Sequence, residues 1–163
     1  MKTLNVMGQH ILKILHLFFC VMWVGGVMAL VCVQLGAVPT TREMMLMATK
    51  CHLVIDEFFL IPGGVGILLT AIAYGSFTKW GFFKRRWITV KWIVTFILVA
   101  IGAGYMGIII KENMVYSLQL LHKGVSSDFY WNNVYHVAIA GIVQLVLFVS
   151  VIVISVIKPW KGR

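Results

Sequence analysis

Residues Leu15–Val27 read LHLFFCVMWVGGV. Apart from one histidine, the stretch is as apolar as lipid. His16 and Trp23 stand seven residues apart, two helical turns, so they share one face of a helix. A pair of small residues, Gly25 and Gly26, follows directly. An ionisable ring on such a helix needs a partner or a task.

Working outward, the same apolar run extends over Ile11–Leu35, long enough to cross the roughly 30 Å hydrocarbon core of a bilayer. Three further runs pass that test, at Leu53–Phe77, Trp87–Ile110 and Val134–Ile157. The chain of 163 residues is 61% hydrophobic and 12% charged, against about a quarter charged in soluble domains. Lipid has to account for the difference. The first run is too long, and lacks the small-residue cleavage site, for a removable signal peptide. The sequence therefore predicts an all-α membrane protein: a single domain, 1–163, built as a four-transmembrane-helix bundle.

The net charge of +9 marks topology rather than nucleic-acid binding. With a cytoplasmic N-terminus, nine basic residues fall inside: Lys2, Lys13, Lys79, Lys84, Arg85, Arg86, Lys158, Lys161 and Arg163. Four fall outside, Arg42, Lys50, Lys111 and Lys123, and Lys91 lies within a span. That asymmetry follows the positive-inside rule with both termini cytoplasmic, in a multi-pass protein of the plasma (inner) membrane. Cys20, Cys32 and Cys51 make no CxxC pair. They read as small apolar residues, or, for Cys32 and Cys51 near the outer helix ends, as a disulfide.

The loops add detail. Thr40 stands three residues before Glu43, a capping-box pattern that starts helix two near Thr41. From there to Phe77 is about 54 Å of helix, too long for the bilayer, so Pro62-Gly63-Gly64 is the expected kink. The inner loop TKWGFFKRRW mixes aromatic and basic residues as interfacial anchors do. Between Glu112 and Asn133, Met114, Leu118 and Leu121 share a face, which suits a short helix lying on the membrane and capped by Gly124. Phe129, Tyr130 and Trp131 would then form an aromatic belt before helix four.

Polar and small residues inside spans turn toward the bundle. On helix two the inward stripe is His52, Asp56, Phe59, Gly63, Gly66 and Thr70, with Glu57 to one side. Helix three offers Lys91, Thr95, Leu98, Gly102 and Tyr105, and helix four Asn133, His136, Ala140 and Gln144. Two polar levels result. His16 and Lys91 lie near the inner surface, and His52, Asp56, Glu57, Asn133 and His136 near the outer one.

Imidazole in an apolar four-helix bundle is a suitable axial ligand for haem iron. Trp23 and Phe19 offer faces to a macrocycle, and Lys13, Lys91 and Arg86 offer cations to its propionates. His52 and His136, on different helices at similar depth, could hold a second metal or haem, or share protons with Asp56. Met44, Met47 and Cys51 on one outer face, beside His52, are soft ligands of the kind Cu(I) prefers.

The stretch LKILHLFFCVMWVGGV resembles the first helix of HemJ-type protoporphyrinogen oxidases and the related CopD-like membrane proteins. IPGG in helix two, WITVK opening helix three and VIKPW closing helix four agree in order and spacing. The resemblance implies that His16 binds haem b and that Lys91 is the functional lysine. Thr89 and Gly102 stand where those oxidases tend to carry histidines, which points to a separate branch.

The expected function is therefore a haem-b-binding integral membrane protein for electron transfer or for redox chemistry on a porphyrinogen or quinone. The alternatives are CopD-like copper handling and a non-catalytic accessory subunit of a membrane complex. Lys91 is the candidate catalytic residue. His16, Trp23, Lys91, His52 and His136 are the candidate cofactor-binding residues, with His16, His52 and His136 as iron or metal ligands. Expected partners are membrane lipid, a porphyrin or a quinone, and further copies of the chain or a larger membrane complex. The orientation has a direct check. A Ser126→Cys variant in intact cells should react with a membrane-impermeant thiol reagent, and labelling only after lysis would reverse the topology.

Overall fold

The computed structural model describes residues 4–78 and 81–158. Its four long helices are α1 (Val6–Gly36), α2 (Arg42–Phe77), α3 (Arg86–Lys123) and α4 (Asp128–Ile157), each long and apolar enough to cross a membrane. Among the described residues there is no strand. The four spans read from hydropathy all fall within these helices. Lys2, Lys79, Trp80, Trp160, Lys161 and Arg163, which entered the charge and motif readings, lie outside the described residues.

The connections are short and capped locally. Asn5 caps α1, its Oδ1 accepting from the Gly8 amide at 2.8 Å. The cap of α2 is Thr41 rather than Thr40, its hydroxyl accepting from the Met44 amide at 3.3 Å. Thr40 instead donates to the Met44 sulfur. Gly124 ends α3 with φ +67°, left-handed backbone that glycine adopts without strain. Alternating helix directions bring Leu4 beside Phe77, where their backbones are hydrogen-bonded at 3.0 Å. We call this the terminal end, and the opposite one, with residues 37–41 and 124–127, the loop end.

At 36 and 38 residues, α2 and α3 run about 54 and 57 Å at 1.5 Å per residue. Both exceed the roughly 30 Å hydrocarbon core of a bilayer, and they pack together at the loop end. There Arg42–Ile55 of α2 packs on Gly107–Lys123 of α3, which corrects the expectation of a short surface helix. Once that part of α2 is present, a straight α3 buries Asn113, Ser117 and Leu120 against it and leaves Leu118 exposed. A helix lying on the headgroups would bury less. For the same reason Tyr130 is not part of an aromatic belt. It lies inside the first turns of α4, 1% exposed, packed with Met45 and Leu120.

Each of the two longest helices contains one wide π-helical turn, at Asp56–Leu60 in α2 and Ala100–Met106 in α3. Pro62 explains the first. It has no N–H to donate and its ring crowds the preceding turn, so the helix widens just before it. A π-turn holds an extra residue, so the inward position within it moves by one. The stripe expected to pass through Phe59 passes through buried Leu60, and Phe59 is 47% exposed. On α3, Met106 is fully buried where Tyr105 was expected, and Tyr105 is 44% exposed. Elsewhere His52, Asp56, Gly63, Gly66, Thr70, Leu98, Gly102, Asn133, Ala140 and Gln144 face inward as the periodicity predicts.

The closest helix contact is between α1 and the second half of α2. A Cβ built on Gly63 would stand 2.8 Å from the Trp23 backbone nitrogen, and one on Gly66 would overlap the Phe19 ring. One on Gly26 would crowd Leu60 at 2.6 Å. These are the small-residue approaches that let membrane helices pack where water supplies no hydrophobic drive. Gly25, by contrast, has nothing within 4 Å of its would-be Cβ. Gly63→Leu should therefore destabilise the detergent-solubilised protein by about 1–3 kcal/mol or more, read as a lower midpoint of thermal unfolding. Gly25→Leu should leave that midpoint unchanged, and equal losses in the two variants would contradict the packing described.

Candidate functional site

Thr70 follows Gly66 by four residues on the inward face of α2, and its hydroxyl donates to the Gly66 carbonyl at 2.6 Å. That hydroxyl has one hydrogen, and it is used. Its remaining capacity is to accept, and the His16 Nδ1 lies 2.7 Å away. With that donation made, the arrangement suits an imidazole hydrogen on Nδ1 and a lone pair on Nε2.

Around His16 the terminal half of the bundle opens. From Arg86 to Val99, α3 packs chiefly on α4, while α1 packs on α2. The space between the pairs is a cavity of about 850 Å³ lined by all four helices. That lies within the roughly 300–1,000 Å³ typical of small-molecule sites. Trp23 and Phe148 close its deep end, ring centroids 5.1 Å apart and nearly perpendicular. Tyr74 presents its ring edge-to-face to His16 at 5.6 Å. Cys20, one turn beyond His16 on α1, faces the same space.

Cations gather in its lining. Lys13, Lys91 and Lys158 all border the cavity, and the charge of Lys91 reaches both His16 and Cys20. The ammonium groups of Lys91 and Lys158 lie 5.4 and 5.9 Å from the Trp87 ring centroid, within cation–π range. Lys158 takes a left-handed conformation, φ 48°, that a lysine seldom adopts. It ends α4 directly before Pro159, where a helix must stop. Arg86, expected near the propionates, is exposed and does not line the cavity.

The structure thus brings His16, Trp23 and Lys91 to one cavity and leaves His52 and His136 elsewhere. His136 Nδ1 is 2.9 Å from the Tyr105 hydroxyl. His52 is buried near the loop end with Nε2 unpartnered. Among the described residues no group of three His, Cys, Asp or Glu side chains is placed to hold a metal ion. The outer copper set is divided as well: Met44, Met47 and Cys51 are exposed while His52 points into the bundle. Cys32 and Cys51 are free, exposed thiols, neither buried nor in a disulfide.

Sequence reading missed Tyr74, Cys20, Phe148 and Lys158. Tyr74 continues the Thr70 stripe at i+4 and Cys20 follows His16 at i+4, so both were legible from spacing. Phe148 likewise follows Gln144. Lys158 was not, because its approach depends on how the last turn of α4 unwinds. Searches against family models, curated proteins and solved structures found no match to this chain. The hydrogen-bond arrangement is itself testable. Nitrogen-15 NMR of the His16 ring should show the Nδ1–H tautomer, and Thr70→Val should shift the ring toward a mixture. A wild-type ring already protonated on Nε2 would contradict the geometry.

Proposed function

We propose that the chain is a haem-b-binding membrane protein in which His16 Nε2 is an axial ligand of the iron. The observation that carries this reading is the His16–Thr70 hydrogen bond. Metal-ligating histidines almost always donate their other ring N–H to a fixed acceptor, which orients the ring and raises its basicity. Here that acceptor is in place, and the free nitrogen belongs to a ring that lines a large, mostly apolar cavity.

The donor set fits the cofactor. Haem is a flat apolar ring with two carboxylates at one edge, and the cavity offers apolar walls with three lysines in its lining. Lys91 would pair with a propionate or with an anionic porphyrin substrate, and Lys13 and Lys158 would serve the same charge. Trp23 and Phe148 close off the far side. When bound, haem supplies one-electron chemistry at its iron. Electron transfer, or oxidation of a porphyrinogen or exchange with a quinone, is the class of reaction such a site serves. The resemblance of the first helix to HemJ-type oxidases supports the same assignment of His16 and Lys91.

The basic asymmetry read from the sequence supports a cytoplasmic terminal end, which sets the cavity toward the inner surface of the plasma membrane. Protein purified in mild detergent from haem-replete cells should carry a Soret band that shifts on reduction with dithionite. His16→Ala should lose that band while keeping its helical circular dichroism. Thr70→Val should weaken haem affinity by about 10–100-fold, the usual effect of removing the partner of a metal-ligating histidine. Lys91→Met should keep the band. A colourless wild-type protein would contradict the reading and favour copper handling or an accessory subunit.

A further inference from the structure

Among the described residues five buried side-chain atoms have no hydrogen-bond partner: Gln34 Oε1, His52 Nε2, Asn113 Oδ1, Asn133 Nδ2 and Gln144 Oε1. An unpartnered buried polar atom costs about 1–3 kcal/mol, and five scattered at random would be hard to sustain. They are not scattered. Four of them, one from each helix, lie within about one to two helical turns of a common level near the loop end.

Packing fixes that level. Met45, Leu120 and Tyr130 are in one cluster at the loop end. His52 lies seven residues deeper than Met45 on α2, and Asn113 seven residues deeper than Leu120 on α3, about 10 Å in each case. Asn133 is one turn deeper than Tyr130, and the Gln34 amide donates to the carbonyl of its neighbour Val134. His52, Asn113 and Asn133 are each at least 94% buried. Two of the orphaned atoms accept and one donates, and His52 Nε2 does either. Water, with two donors and two acceptors, complements that set, and buried waters ordinarily make about three such bonds.

One turn deeper is Asp56, 4% exposed, at the start of the π-turn of α2. Opposite stands Gly107, where a Cβ would lie 3.8 Å from Asp56 Oδ2 and 3.4 Å from the Gly102 carbonyl. That carbonyl accepts from the Gly107 amide across the π-turn of α3. A Cβ on Gly102 would in turn lie 3.0 Å from Gln144 Nε2. Gln144, fully buried, donates to the Leu98 carbonyl at 2.9 Å, and Leu98 lines the His16 cavity. Polar groups therefore succeed one another from the loop end to the cavity, and at two glycines the lack of a Cβ lets them approach closely.

We propose that this column holds water and conducts protons between the loop end and the His16 cavity, with Asp56 as its carboxylate relay. A proton passes from the hydrated layer to Asp56, and the carboxyl returns one to water on the Gly102 side. Each transfer leaves the chain of donors reset, and no electron moves. Buried carboxylates and histidines inside membrane bundles commonly serve such relays.

The test is proton flux into proteoliposomes carrying a trapped pH-sensitive dye, driven by a potassium gradient with valinomycin. Wild-type vesicles should acidify several-fold faster than protein-free ones. Asp56→Asn, nearly isosteric, and Gln144→Leu should each bring the rate back toward the protein-free level, with helical circular dichroism confirming that both fold. Wild-type flux no greater than that of empty vesicles, or wild-type flux in folded Asp56→Asn, would overturn the proposal. The measurement needs no bound cofactor. A colourless protein that conducts would retain the column and lose the haem assignment, and a haem-loaded protein that does not conduct would do the reverse.

Discussion

The contact of α1 with α2 across Gly63 and Gly66 is the constraint on which the remainder of the molecule depends. In lipid no hydrophobic drive holds two helices together, so they adhere through close packing and the few polar bonds they can share. Glycines at these positions bring the Trp23 backbone and the Phe19 ring down onto α2. Only at that separation does Thr70 stand 2.7 Å from His16. A larger residue at Gly63 would move the histidine off its acceptor as surely as it would loosen the fold. Packing and site geometry are here the same fact.

The two π-turns divide the bundle into two differently packed halves. Toward the terminal end α3 leans on α4 and away from the first pair, which opens the cavity. Toward the loop end α2 and α3 close on each other and bury polar side chains. Each wide turn stands at the change from one regime to the other. At the α3 turn the Gln144 amide donates to a main-chain carbonyl, and at the α2 turn Asp56 is placed inside the bundle. Irregular helix of this kind is tolerated at membrane depth only where protein, water or side chains satisfy the backbone.

Much of this was legible in the sequence, because lipid imposes simple rules. The number of long apolar helices and most inward-facing residues followed from length and from a 3.6-residue period. That period carried the stripe along α4 at Asn133, Ala140 and Gln144, with Val137 buried where His136 was expected, and along α2 and α3 as far as their π-turns. Within them it failed by one residue, at Phe59 and Tyr105, and beyond the α2 turn it held again at Gly63, Gly66 and Thr70. No local pattern announces an extra residue in a turn. Pro62 signalled an irregularity but not its kind. The continuation of α3 past Ile110 was also hidden, since Met114, Leu118 and Leu121 fit a surface helix equally well. What decided it was a partner, the loop-end part of α2, visible only once both helices are placed. Of the site, His16, Trp23 and Lys91 were found by type and depth, whereas Lys158 needed the three-dimensional path of the chain end.

The proposed ligation of iron by His16 can be tested directly by pulsed electron paramagnetic resonance of the ferric protein grown with nitrogen-15 histidine. Nitrogen-15 hyperfine coupling from an imidazole bound to the iron, lost in His16→Ala, is the result the haem proposal predicts. Iron coupled to no histidine nitrogen, or a coupling that survives His16→Ala unchanged, would contradict it.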